Sequence, residues 1–122
     1  MLFLKITPEG DFSFVPCLSE DLLGFIHEQI DCTTFEIVRP LGLSRGLVMM
    51  VDESGLLKDD RKINPLPWHW YSRSDPKAPI VGTVLIGREA LVNGEPDIVG
   101  LEGYDVCYLK EWENVAKATL YR

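Results

Sequence analysis

Three apolar segments, separated by glycine and proline, set the limits on what this chain can fold into. Phe35-Glu36-Ile37-Val38-Arg39 leads through Pro40, Gly42 and Gly46 into Leu47-Val48-Met49-Met50-Val51, and Asp52-Glu53-Ser54-Gly55 then makes a turn. Pro79-Ile80-Val81-Gly82-Thr83-Val84-Leu85-Ile86-Gly87 is the third segment. Short runs rich in β-branched residues and bounded by turn formers read as strands. These are the walls of a sheet, and few of their side chains do chemistry, so they specify a fold without naming an activity.

The flanking sequence supplies the other elements. Residues 2–7 read as a strand, Pro8-Glu9-Gly10-Asp11 as a turn and Phe12-Ser13-Phe14-Val15 as its partner strand, giving an N-terminal hairpin. Ser19 is placed to cap a helix over 20–30, with Glu20 and Asp21 at the positive end of its dipole. Leu22, Leu23, Ile26 and Ile30 would form its apolar face. Strands are expected near 34–39, 47–52 and 79–87, and a further hairpin over 88–92 and 97–100 around Asn93-Gly94-Glu95-Pro96. Asn64-Pro65 opens a brief helix, because proline suits the first helical position. Residues 104–120 form the last helix, with Val106, Leu109, Trp112, Ala116 and Leu120 spaced by three and four. The expected fold is α+β: one domain over 1–122, with a mostly antiparallel sheet of five to seven short strands and two helices packed on it.

At 122 residues and 46% hydrophobic, such a domain can bury a core without metal or disulfide staples. No run reaches the roughly 18 apolar residues that a membrane span needs. Met1-Leu2-Phe3-Leu4-Lys5-Ile6 lacks a basic leader and is interrupted by Thr7-Pro8, so no signal peptide and a cytoplasmic location are expected. The three cysteines, Cys17, Cys32 and Cys107, cannot all pair within one chain and show no C-x-x-C spacing. They are expected to be small, partly buried apolar residues.

The formal net charge of −7 is unevenly spread, with seven acids and one base in 1–36, five acids and eight bases in 37–88, and seven acids and three bases in 89–122. An acidic chain repels phosphate, which disfavours broad nucleic-acid binding. Arg39, Arg45, Arg61, Lys62, Arg73 and Lys77 could form a local basic patch in the middle, although solvated loops are the favoured account of such charges.

Motifs with chemical meaning are few. Gly42-Leu43-Ser44-Arg45-Gly46 matches the G-x-S-x-G nucleophile elbow, which requires a strand-to-helix turn, yet a strand comes next here. His27 borders the apolar face of the first helix and has no nucleophile pointing to it in sequence. The adjacent acids Asp52-Glu53 and Asp59-Asp60 should diverge rather than converge on a cleft. A calcium loop begun at Asp52 fails because Leu56 stands where a ligand is needed. Two histidines and three scattered cysteines make no zinc spacing, and there is no P-loop or dinucleotide fingerprint. No metal, cofactor or catalytic residue is expected. The aromatic run Trp68-His69-Trp70-Tyr71, with Arg73 close behind, is the best candidate binding site. Covering an edge of the core is the favoured reading of the same cluster, since tryptophan is highly buried on average.

Residues from about Leu4 to Leu101 resemble an uncharacterised bacterial and phage family of roughly 100 residues, a domain of unknown function. The resemblance is carried by Leu4-Lys5-Ile6-Thr7-Pro8, a helix ending in Ile30, Phe35-Glu36-Ile37-Val38-Arg39 and Val48-Met49-Met50-Val51-Asp52-Glu53-Ser54-Gly55-Leu56-Leu57. Asn64, Ile80-Val81-Gly82-Thr83-Val84-Leu85-Ile86-Gly87 and Val99-Gly100-Leu101 come after these in the same order. Leu66-Pro67-Trp68-His69-Trp70 departs from the pattern, which has no tryptophan pair there. The resemblance implies a small intracellular protein carried by phages or mobile elements, with no activity attached.

The sequence supports two readings of function. The first is a non-enzymatic protein-interaction module with an unidentified protein partner, resting on the missing catalytic constellations and the aromatic cluster. The second is a nucleic-acid-associated accessory protein using the basic, aromatic middle. A hydrolase centred on Ser44 or His69 ranks last. Met49 and Met50 should point to opposite faces of the sheet, leaving one face for the helices and the other for a second subunit in a homodimer.

Overall fold

The strand Leu47–Asp52 is buried along its whole length, because it lies inside the sheet with helices on both sides. A computed structural model describes residues 1–55, 58, 62–73 and 79–121. Its elements are β1 (Leu2–Ile6), β2 (Phe12–Pro16), α1 (Leu22–Ile30), β3 (Phe35–Val38), β4 (Leu47–Asp52), α2 (Pro65–Tyr71), β5 (Val84–Val92), β6 (Glu95–Val99) and α3 (Gly103–Thr119). The strands make one antiparallel sheet in the order β2-β1-β5-β4-β3, with β6 paired to the outer half of β5. The mixed α+β class and the antiparallel sheet are as the sequence predicts, with six strands and three helices among the described residues.

Alternation along the strands sorts the core into two halves. Leu4, Ile6, Met49, Val51, Val84 and Ile86 face α2 and α3, meeting Leu66, Trp70, Leu109 and Ala116. Phe3, Val48, Met50 and Leu85 face α1, meeting Ile26 and Ile30. Helices therefore cover both faces. Met49 and Met50 do point to opposite sides, and each is wholly buried within the chain, whereas the outer end of β5 and most of β6 are exposed.

Three local expectations are corrected. The strand expected over 79–87 begins at Val84 and continues unbroken through Gly87 to Val92. Residues before it turn aside: Gly82 takes a φ of 78°, and the segment pairs with 62–64 through the Ile63–Val81 bridge and the Asn64 N–H to Ile80 carbonyl bond. Gly87 does not end the strand, because its missing side chain makes room for the Phe3 ring, which a Cβ would approach to 2.8 Å. The cap of α1 is Asp21, whose carboxylate accepts from the Gly24 N–H at 3.0 Å, while Ser19 Oγ accepts from Asp21 N–H one step upstream. Leu23 is 60% exposed and off the apolar face.

Two polar contacts hold α2 and α3 in place. Asn64, 0% exposed, donates from Nδ2 to the carbonyls of Ile6 and Gly82 at 2.9 and 3.0 Å and accepts from the Tyr121 hydroxyl through Oδ1. That hydroxyl also accepts from the Leu66 N–H. Burial pushes the Tyr121 pKa up to about 12, against the pull of the Leu66 N–H. At the other end of α3, Arg88 on β5 makes a two-pronged ion pair with the buried Asp105, which also accepts from the Glu102 N–H at 2.9 Å. Burial pushes the Asp105 carboxyl up, but the hydrogen bonds from Arg88 and Glu102 outweigh it and its pKa falls below the ordinary value.

This depressed pKa links stability to pH. Below about pH 4, the ordinary aspartate value, the unfolded chain binds a proton at Asp105 that the folded chain refuses, so stability falls as the pH drops through that window towards the folded pKa. Asp105→Asn should cost roughly 3 kcal/mol at neutral pH, as expected for a buried pair left with one member. Urea unfolding midpoints of the two proteins should converge as the pH is lowered from 7 to 3. A constant gap across that range would show that Asp105 is not held ionised by Arg88.

Candidate functional site

Pro65 opens α2 at its first position. Helical spacing then parts the side chains that lie together in sequence. Leu66 and Trp70, four residues apart, turn to the sheet and are both 0% exposed. Trp68 and Tyr71 are half-buried at the margins and pack on the same core. His69 and Arg73 are exposed. The candidate cluster therefore does not act as one surface: Trp70 belongs to the core, and His69 and Arg73 are its outward members. Among the described residues the indole N–H groups of Trp68 and Trp70 are buried without an acceptor.

The partner of this cluster is α3, which its sequence presents as a plain amphipathic helix. Trp112 packs edge-on to Trp70 at 5.8 Å and tilted to His69 at 5.8 Å between ring centroids. Of the five residues expected to form its buried face, Leu109 and Ala116 are wholly buried, whereas Trp112 and Val106 are half-buried and Leu120 is exposed. A second stripe, Tyr104, Tyr108, Trp112 and Val115, runs at spacings of four, four and three along the outer side. Tyr104 is 65% and Val115 55% exposed. Tyr108, Glu111, Trp112 and Val115 line an open, largely apolar groove of about 430 Å³. The signal is present in the sequence, but the inner stripe shares Trp112 and masks it.

Next to this groove lies the loop from β3 to β4. The Ser44 N–H donates to the Tyr108 hydroxyl at 3.0 Å, and the Gly42 N–H donates to the Trp70 carbonyl at 3.0 Å. Gly42 must be glycine, since a Cβ would sit 2.7 Å from the Trp70 Cα. The two glycines of the G-x-S-x-G pattern thus have structural duties, Gly46 with a φ of 90° and Gly42 at the Trp70 backbone. From Gly46 the chain enters β4 rather than a helix, so there is no nucleophile elbow. Among the described residues the Ser44 hydroxyl has no hydrogen bond to a histidine. The loop borders an open hollow of about 470 Å³, lined by the apolar Pro40, Leu41 and Leu43 and by the polar Arg39, Ser44, Arg45 and Glu89.

Of the basic residues in the middle of the chain, Arg39 is answered by an acid, while Arg45, Lys62 and Arg73 make no ion pair among the described residues. Arg39 clasps Glu89 with two hydrogen bonds, which lower the Glu89 pKa and raise that of Arg39. Lys58 pairs with Asp52 at 2.7 Å and Arg88 with Asp105. Arg61, Lys77, Asp59 and Asp60 lie outside the described residues. Asp52 also accepts from the Ser54 N–H in the turn. His27 packs edge-on to Phe35 at 5.4 Å. Cys17 is buried and Cys32 half-buried, but Cys107 is exposed on α3, unlike the partly buried position expected of it. Among the described residues no group of three or more histidine, cysteine or acidic side chains could hold a metal ion, and no helix is long and apolar enough to cross a membrane. Compared with family models, curated proteins and solved structures, the chain matches nothing.

The division of the aromatic cluster can be measured. Trp70→Ala should cost about 3–5 kcal/mol, the range for removing a large buried aromatic. His69→Ala should stay within about 0.5 kcal/mol, as for an exposed site. Chemical denaturation of both variants checks this; equal losses would place the two residues in the same environment.

Proposed function

We propose that this chain is a non-enzymatic protein-interaction module whose contact surface is the outer face of α3, extended by His69 of α2. The observation that carries the reading is the stripe Tyr104, Tyr108, Trp112 and Val115, with its groove of about 430 Å³. Aromatic residues half-buried in a firm scaffold supply contact area at low entropic cost, which is why they anchor interfaces. Trp112 is held from behind by Trp70, so the stripe is preorganised. Its setting in a bacterium, phage or mobile element rests on the resemblance alone.

The reading shifts the anchor. Of Trp68, His69, Trp70, Tyr71 and Arg73, His69 contributes from the edge, and Trp70 contributes by supporting Trp112. Nucleic-acid association is the second reading. The net charge of −7 and the pairing of Arg39 with Glu89 weigh against it, because an acidic chain repels phosphate.

Val115→Asp is the sharpest test, since Val115 is exposed and the fold should tolerate the change. Tagged wild-type and variant proteins would be used to capture partners from a lysate of the source cells, with and without nuclease. One dominant protein that survives nuclease and is reduced at least tenfold by Val115→Asp is expected. Capture unaffected by the variant would remove α3 as the contact face, and partners lost with nuclease would favour the second reading.

A further inference from the structure

The hollow under the β3–β4 loop is a separate feature from the α3 groove, and its chemistry is different. At about 470 Å³ it falls within the range of small-molecule pockets, roughly 300–1,000 Å³. Its apolar lining comes from Pro40, Leu41, Leu43 and Leu47. Leu41 presents its side chain to solvent at 70% exposure. Its polar lining comes from Ser44, the Arg39–Glu89 pair and Arg45.

Charge decides what such a hollow would take. Glu89 is consumed by Arg39 through two hydrogen bonds. Arg45 has no ion-pair partner among the described residues. The charged groups of the hollow therefore sum to one positive charge, in a chain whose net charge is −7. An unpaired guanidinium beside an apolar wall suits an anion with an apolar body, since the planar fork binds carboxylate or a similar oxyanion with two parallel hydrogen bonds. The loop is also fixed in shape, by Gly42 on the Trp70 carbonyl, Ser44 on the Tyr108 hydroxyl and the Glu89 N–H on the Gly46 carbonyl, so little ordering is needed on binding.

We propose that the loop between β3 and β4 forms a binding site for a small amphipathic monoanion, with Arg45 holding the anionic group, Ser44 donating a hydrogen bond to it, and Leu41 and Leu43 contacting the apolar body. The site does not depend on the α3 reading, and a probe distinguishes the two by where it binds.

The probe pair is 2-naphthoate and its neutral counterpart 2-naphthamide, titrated into the 15N-labelled full chain and followed by amide chemical shifts. Saturable shifts at the backbone amides of Leu41 to Leu47 are expected with naphthoate, and binding of naphthamide at least fivefold weaker. Arg45→Gln, at an exposed position, should weaken naphthoate about fivefold or more. Glu89→Gln should strengthen it, because it releases Arg39 from its partner and raises the local positive charge. Shifts confined to Tyr108 to Val115, equal binding of the two probes, no response at all, or indifference to Arg45→Gln would each overturn the proposal. An acidic hexapeptide that binds the same amides tenfold more tightly than naphthoate would also overturn it, in favour of a peptide site.

Discussion

The buried side-chain amide of Asn64 joins parts of the chain that are nearly sixty residues apart in both directions. It donates to the Ile6 carbonyl at the end of β1 and to the Gly82 carbonyl just before β5, and it accepts from Tyr121 just beyond α3. Its own backbone N–H goes to Ile80 and its carbonyl accepts from Trp68 in α2. All this happens at 0% exposure, where each polar group left unpaired costs about 1–3 kcal/mol. A fully connected buried network of this kind specifies one arrangement, since any alternative packing strands several groups at once. Asn64 thus sets where α2 starts, where α3 ends and why the segment before β5 leaves the sheet.

That anchor dictates the surface chemistry. With α2 and α3 pinned to one face and α1 covering the other, the interior strand β4 has no exposed side. Two of the chain's outward surfaces are the far side of α3 and the loop that α3 and α2 hold through Tyr108 and the Trp70 carbonyl. Both surfaces are therefore rigid by construction. They differ in chemistry, one a stripe of aromatics and the other an apolar hollow with an unpaired guanidinium.

Much of the fold was legible in the sequence. Asn93 and Gly94 both take positive φ, 54° and 82°, the requirement that makes Asn-Gly a hairpin signal. The capping and periodicity of α1 and α3 were readable to within a few residues. The misreadings have physical causes. Pro79-Ile80-Val81 is as apolar as a strand, and nothing local reveals that Asn64 captures the carbonyls around it. Ser19 and Asp21 are both good caps, and Gly24 is what admits the Asp21 carboxylate. The candidate site was less legible. Trp68, His69, Trp70 and Tyr71 are adjacent in sequence but separate by about 100° per residue on a helix, so a run of aromatics could not all face one partner. Arg45 drew notice only as one of several basic residues, because the pairing of Arg39, Lys58 and Arg88 is a tertiary fact.

The central claim is that the Asn64 amide is sealed inside the fold, and its side-chain protons report that directly. In 15N-labelled protein, the Nδ2 protons of Asn64 should exchange with solvent as slowly as the backbone amides of β4, which open only with global unfolding. The side chain of Asn93, at the exposed tip of the β5–β6 hairpin, serves as the fast reference. Exchange at Asn64 as rapid as at Asn93 would contradict the account, because the network that positions α2 and α3 would then be open to water.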